Sequence, residues 1–361
     1  MKNNYLWLCT VVIGLAVGCK GTTDPVELTF LDGTPDNPEI GIMLNSLGKT
    51  VRMFQLGSPD STRIVELGSS SAVTPVGFDV FDNFIAVPLG NAASVAVFDA
   101  RGPGAPSYYL FPSGNATGAA FLDVNTVFVA NLTGGYVGRF FVSQESAAIV
   151  DILPVAPKPT EVLAQGSLVY VVSSNLDDFW APLGEGIVTT VEPGGMTVFD
   201  TVSTGGENPS SAAVGNDGKL YILNTGNWVD AGSLAIMSLA SRTIDTVITN
   251  MGVGPGHVAI DDNGLVYVSG FFFGTIVWDS KTKTFVRGTA DPLCAPIQGG
   301  GCRGASSAAV AANGDVYQSF FGDPGAGLAP AIFVYSAGTF ALKDSIAAGS
   351  GPMQIGINNF P

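Results

Sequence analysis

The chain has 361 residues, 46 % hydrophobic and only 12 % charged, with 30 acidic against 15 basic side chains and a formal net charge of −15 at pH 7. Its 47 Gly and 22 Pro, 69 residues together, exclude a helical architecture, because both residues destabilise helix interiors. The acidic balance excludes a broad nucleic-acid interface, which needs basic surface to neutralise phosphates.

At the start, Met1-Lys2 precedes an apolar stretch from Tyr5 to Val17, and Leu15-Ala16-Val17-Gly18 leads into Cys19. A basic opening, a short apolar core and a small residue before the break read as a secretory signal, since a membrane span takes about 20 apolar residues. Cys directly after the small residue resembles a bacterial lipoprotein signal, with Ala16 where that pattern prefers Leu; the alternative is a plain signal cut after Gly18 or beyond. Residues 1–18 are thus expected to be the signal and 19–38 a lipidated Cys19 with a Gly, Thr, Pro and Asp-rich tether. Cys9 falls in the removed part. Losing Lys2 leaves 14 basic and 30 acidic residues, 14 − 30 = −16. Lys20 is not the Asp that would retain a lipoprotein at an inner membrane, so the expected location is the cell envelope, on either face of the outer membrane.

Three strand-like runs follow, at residues 40–45, 50–56 and 63–67. A phrase then recurs: an Asn, Lys or Gly followed by Pro, an apolar run, a Gly/Asn/Asp turn, and a second run opening on Tyr or Phe. Pro209 leads to Ala212, turns at Asn216-Asp217-Gly218 and continues Leu220-Tyr221-Ile222-Leu223-Asn224; Pro255 leads to Val258, turns at Asp262-Asn263-Gly264 and continues Leu265-Val266-Tyr267-Val268-Ser269. The phrase starts at Pro75, Thr117, Pro159, Pro209, Pro255, Ser306 and Pro352, or 277 residues over six intervals, about 46 each, the length of a four-stranded propeller blade. A third run ends in Asp at Asp99, Asp200 and Asp279, where the side chain can bond its own backbone two residues on and start the turn to a fourth strand. Fourth strands are expected at residues 108–111, 244–248 and 284–287. The seventh phrase is too short to complete a blade, so the C-terminal strand is expected to be innermost in a blade whose outer three strands are N-terminal. The prediction is an all-β, seven-bladed β-propeller of four-stranded antiparallel blades over 39–361, a single monomeric domain without an open seam.

Phe128-Val129-Ala130-Asn131, Tyr221-Ile222-Leu223-Asn224 and Tyr267-Val268-Ser269-Gly270 resemble the Tyr-Val-Thr-Asn signature of bacterial YVTN-type (YncE-like) β-propeller repeats. Tyr170-Val171-Val172-Ser173 is close to it, whereas Ile85-Ala86-Val87-Pro88 and Tyr317-Gln318-Ser319-Phe320 depart. The resemblance implies a non-catalytic surface or periplasmic protein, and carries no catalytic set or cofactor to transfer.

Cys294 and Cys302 lie in a Gly-rich insertion and in an exported chain are expected to form a disulfide; without neighbouring His they are not expected to bind zinc. His257, the one histidine, stands where an innermost strand begins; it either contacts a ligand or is a polar channel residue bonded to backbone, and its solitude excludes a triad or a His-rich metal centre. Loops after the second strands carry Asp178-Phe179-Trp180, Trp228-Val229-Asp230, Phe271-Phe272-Phe273 and Phe320-Phe321-Gly322-Asp323, all emerging on one rim. Such clustering of Trp180, Trp228, Phe272 and Phe321 with Asp178, Asp230 and Asp323 reads as a recognition surface for an envelope protein or glycan, cationic rather than anionic, unless the rings fold back over the sheet ends. Asp217, Asp261, Asp262 and Asp315 read as hairpin-turn residues, because none has calcium-loop spacing. No catalytic residue, cofactor or metal site is expected. The alternative is a metal-dependent lactonase-like hydrolase or a quinoprotein-like dehydrogenase working in the central channel, which three or more carboxylate or amide oxygens converging on one point there would favour; Glu207, Asp178, Asp230 and Asp323 could also converge at the rim and bind a metal.

Overall fold

Short β-branched runs punctuated by Gly, Pro and Asp form strands and little else. In the computed structural model, which describes residues 39–142, 149, 151–295 and 301–360, these runs make seven four-stranded sheets. The signal and lipidation readings lie outside the described residues. Six blades follow the chain, with innermost strands Asp79–Phe81, Ala116–Asp123, Pro159–Gln165, Pro209–Val214, Pro255–Ile260 and Ser307–Val310 for blades 1 to 6. The closing blade joins the innermost strand Pro352–Asn359 to Glu39–Asn45, Thr50–Gln55 and Ser58–Glu66. Seven residue pairs, from Glu39↔Asn359 to Asn45↔Pro352, tie the two ends of the domain antiparallel.

Every blade buries both faces, so the core is seven slabs between neighbours rather than one centre. Ile40, Ile42 and Met53 of the closing blade pack on Ile85, Val87 and Phe98 of blade 1, and Tyr221 and Leu223 of blade 4 on Val258, Val268 and Trp278 of blade 5. Burying a Val, Leu, Ile or Phe side chain contributes about 1.5–3 kcal/mol, which is why second and third strands read as unbroken apolar runs. The Asn that ends two of the YVTN-like strands is buried and holds the following loop. Asn131 Oδ1 accepts from the Gly134 and Asn115 N–H groups at 2.9 and 3.2 Å, and Asn224 Nδ2 donates to Ser233 Oγ at 3.1 Å. Asp99 and Asp279 each accept from the backbone N–H two residues on, at 2.8 Å, as turn chemistry requires.

Two sequence expectations need correcting. The innermost strand of blade 1 begins at Asp79, not Pro75. Pro75 has no N–H to donate, and the Phe78 N–H is taken by Gln354 Oε1 of the closing blade at 2.8 Å, which postpones the ladder. The run ending at Asp200 belongs to the fourth strand of blade 3, Thr197–Ser203, and the third is Ile187–Glu192. Its Thr189 and Thr190 hid it from an apolar search, while Val198 and Phe199 lie exposed on the outer edge. Cys294 and Cys302 are joined by a disulfide with Cα atoms 5.5 Å apart.

Candidate functional site

The innermost strands surround a channel of about 690 Å³. In blades 3, 4 and 5 the opening Pro is followed by a β-bulge, after which Glu161, Ser211 and His257 pair with Val172, Leu223 and Ser269. Gln354 occupies the same place after Pro352, opposite Leu44. A bulge re-aims the residue behind it, and here it sends four polar side chains to one depth of the channel wall.

These positions have divided their work. Gln354 clamps Phe78 of the next blade, and Ser211 Oγ accepts from the Val258 N–H of the next blade at 3.3 Å. Ser307 and Asp79 likewise accept from the N–H groups of Ile355 and Phe121, both at 2.8 Å. Glu161 and His257 staple nothing: Glu161 Oε1 accepts only from the adjacent Val162 N–H at 3.3 Å, and His257 Nδ1 is buried without a hydrogen-bond partner among the described residues. His257 is therefore a channel residue, but its Nδ1 is not bonded to backbone.

Burial governs the charges here. It pushes the Glu161 carboxyl up to about 8, with a further contribution from the charge of Asp79. Burial pushes Asp79 up to about 6, offset in part by the Phe121 and Val80 N–H groups, and pushes the His257 imidazole down to about 4. Burial thus disfavours the charged form of all three channel groups, Asp79, Glu161 and His257.

The loops after the second strands emerge on the rim at which the innermost strands open. Ala231 in the loop after a second strand bridges Val253, and the Gly232 N–H donates to Gly252 O at 2.7 Å, just ahead of Pro255. Trp180, Trp228 and Phe272 remain 57 %, 55 % and 70 % exposed, so much of each ring faces solvent. Phe273 and Phe320 instead pack into inter-blade slabs. Both tryptophans hold φ +65°, a left-handed conformation uncommon outside Gly that costs of order 1 kcal/mol or more. Local bonds impose it. Asp177 Oδ1 accepts from the Phe179 and Ala181 N–H groups at 2.8 and 2.9 Å, and Asn227 Oδ1 from those of Val229 and Asp230 at 2.9 and 2.8 Å. Lys158 Nζ lies 5.5 Å from the centre of the Trp180 ring. The Trp228 ring covers Gly254, whose missing Cβ would sit 2.6 Å from Cε3, and Phe272 borders the same spot. Phe271 and Phe321 meet edge to face at 5.9 Å.

The rim carboxylates are occupied internally. Asp178 pairs with Lys158 at 2.9 Å, Asp230 accepts from Asn227 Nδ2 at 2.9 Å, and Asp323 accepts from the Ala326 N–H at 3.1 Å. Glu207 and Asp230 line one depression, Asp178 a second and Asp323 a third, so the four do not converge. Among the described residues no group of three His, Cys, Asp or Glu is placed to hold a metal ion. Sequence reasoning missed Asp79, Glu161 and Gln354; the only signal was a polar residue two or four places after a phrase-opening Pro.

No family model matches the chain, and no curated protein matches it by sequence. Solved structures similar to it include a functionally unknown protein from Desulfotomaculum acetoxidans, 12 % identical over 89 % of this chain and 99 % of that one, with TM-score 0.62. Kuenenia stuttgartiensis hydrazine synthase is also 12 % identical, over 79 % and 90 %, with TM-score 0.58. The WD40 β-propeller domain of Doa1 is 10 % identical over 81 % and 94 %, with TM-score 0.58. At such identities the likeness is one of fold alone.

Proposed function

We propose that this propeller is a YVTN-type lipoprotein of the bacterial envelope that binds a protein or glycan on its aromatic rim and performs no chemistry there. The observation that carries the reading is the pair of strained, half-exposed tryptophans, Trp180 and Trp228, with Phe272 alongside. Backbone strain held in place by Asp177 and Asn227 is retained where display of the ring matters more than local stability. Aromatic anchors dominate many interfaces, each costing about 2 kcal/mol or more on truncation when central. The rim aspartates support the loops, so the affinity rests on the rings.

The test is capture from envelope extracts with residues 20–361. Trp180→Ala with Trp228→Ala should lower capture at least about thirty-fold while leaving the melting temperature within a degree or two. Early unfolding with undiminished capture by the folded fraction would move the site off this rim.

The envelope location rests on Cys19, and lipidation anchors through acyl burial at about 0.8 kcal/mol per methylene. Membrane partitioning should therefore be lost in Cys19→Ser and kept in the parent. Equal partitioning of both would refute the anchor.

A second reading, an enzyme using the channel, is favoured by one observation: two buried, interacting carboxyls, Asp79 and Glu161, both raised above the usual carboxylate range in a concave site, as groups at functional sites often are. It predicts a turnover abolished by Glu161→Gln and untouched by the tryptophan substitutions.

A further inference from the structure

Of the seven arginines in the sequence, six have hydrogen-bonding or charged partners. Arg52 and Arg63 donate to backbone carbonyls, Arg139, Arg242 and Arg287 pair with Asp151, Asp200 and Asp291, and Arg101 is also partnered. Arg303 differs. Its guanidinium makes no hydrogen bond or ion pair among the described residues, and its Nε is buried without a partner. Its Cζ lies over two rings, 5.4 Å from the centre of Phe320 and 5.3 Å from that of Phe333.

The position is tightly built. The preceding Cys302 is cross-linked to Cys294, and the Arg303 N–H donates to Ala295 O at 3.1 Å. Gly304 presses against the loop after the second strand of blade 5, where an added Cβ would fall 1.8 Å from Phe271 O. The guanidinium borders a pocket of about 240 Å³ between blades 5 and 6, lined also by Phe271, Phe320, Phe321, Asp323 and Leu328.

We infer that this pocket binds a small organic carboxylate with a flat apolar body, held by Arg303 and sandwiched by the phenyl rings. Guanidinium carries five N–H donors in a fork that matches a carboxylate. Leaving the buried Nε donor unsatisfied is unfavourable, and a carboxylate at the guanidinium relieves it. Asp323 in the lining and the chain's net charge of −15 oppose a dianion such as phosphate. The volume equals that of about eight waters at ~30 Å³ each, which suits a single molecule of benzoate size. The site shares Phe321 and Asp323 with the rim but uses neither tryptophan, and it goes beyond the rim reading.

Benzoate titrated into residues 20–361 by calorimetry should bind saturably at one site and raise the melting temperature, whereas benzamide, of the same shape without the charge, should bind at least tenfold more weakly. Arg303→Met should abolish benzoate binding, and Asp323→Asn should tighten it severalfold by removing a like charge. Trp180→Ala with Trp228→Ala should leave it unchanged, so failure of the rim reading and failure of this one are distinguishable. If Arg303→Met folds poorly, Asp323→Asn and the benzoate-to-benzamide ratio decide. Equal binding of benzoate and benzamide, or a benzoate affinity indifferent to Asp323→Asn, would overturn the inference.

Discussion

Removal of residues 351–361 should abolish cooperative folding of the whole disc rather than fray one end. The deletion takes away the innermost strand of the closing blade, and with it the seven pairs to Glu39–Asn45. It also uncovers Ile355 and Phe360, 2 % and 0 % exposed, and leaves the Ser306 hydroxyl without Pro352 O, its acceptor at 2.6 Å. Blade 6 and blade 1 would each face a defective neighbour, since Ile355 packs in the slab with Tyr317 and Ile332, and Gln354 clamps Phe78. Two buried large side chains at about 1.5–3 kcal/mol each and the lost ladder together exceed several kcal/mol, comparable to the total stability of a typical domain. The truncated protein is expected to show no sigmoidal urea transition. A transition at the parental midpoint would mean that the closure contributes little.

Glu161→Gln should stabilise the protein, and increasingly so as pH rises. A carboxyl whose pKa rises from 4.5 to about 8 on folding holds its proton in the native state while the unfolded chain loses it. Stability from this group is therefore complete below pH 4.5 and is lost as pH rises through 8, at up to about 1.4 kcal/mol per unit. Asp79, raised to about 6, acts with the same sign between pH 4 and 6. His257 acts oppositely: its pKa falls from 6.5 to about 4, so its contribution is complete above pH 6.5 and is lost as pH falls through 4. Unfolding free energies from urea titrations at pH 5 and pH 8 should converge for parent and Glu161→Gln at the lower pH. At the higher pH they should separate by a few kcal/mol in favour of Gln. His257→Gln should instead gain at the acid end. A constant offset for Glu161→Gln across this range would show that the side chain titrates in channel water as it does in the unfolded chain.

The two predictions rest on different parts of what the sequence carried. Blade number, blade length and closure were legible because each blade repeats the same physical problem, a sheet buried on both faces, and solves it with the same Pro, apolar run and Gly/Asn/Asp turn. Only local detail failed, at Pro75, where the closing blade's Gln354 takes a backbone donor, and at Thr189 and Thr190, where hydroxyls mask a buried strand. The aromatic rim was legible too, since loops after equivalent strands must emerge together. What the sequence by itself could not determine was how the side chains there divide between display and packing. Phe271, Phe272 and Phe273 are identical letters, yet Phe273 fills the slab while Phe272 stands in water. The channel set was beyond reach for a similar reason: Asp79, Glu161, His257 and Gln354 are 82, 96 and 97 residues apart in turn, and only ring closure brings them to one wall. Arg303 is the clearest instance. Nothing in the sequence singles out Arg303, and only the disulfide, the close pass at Gly304 and the rings of two strands place its Nε in a wall without a partner. Periodic patterns report what every blade shares, whereas a site depends on the differences between blades, and those acquire meaning only when the tertiary structure sets them side by side.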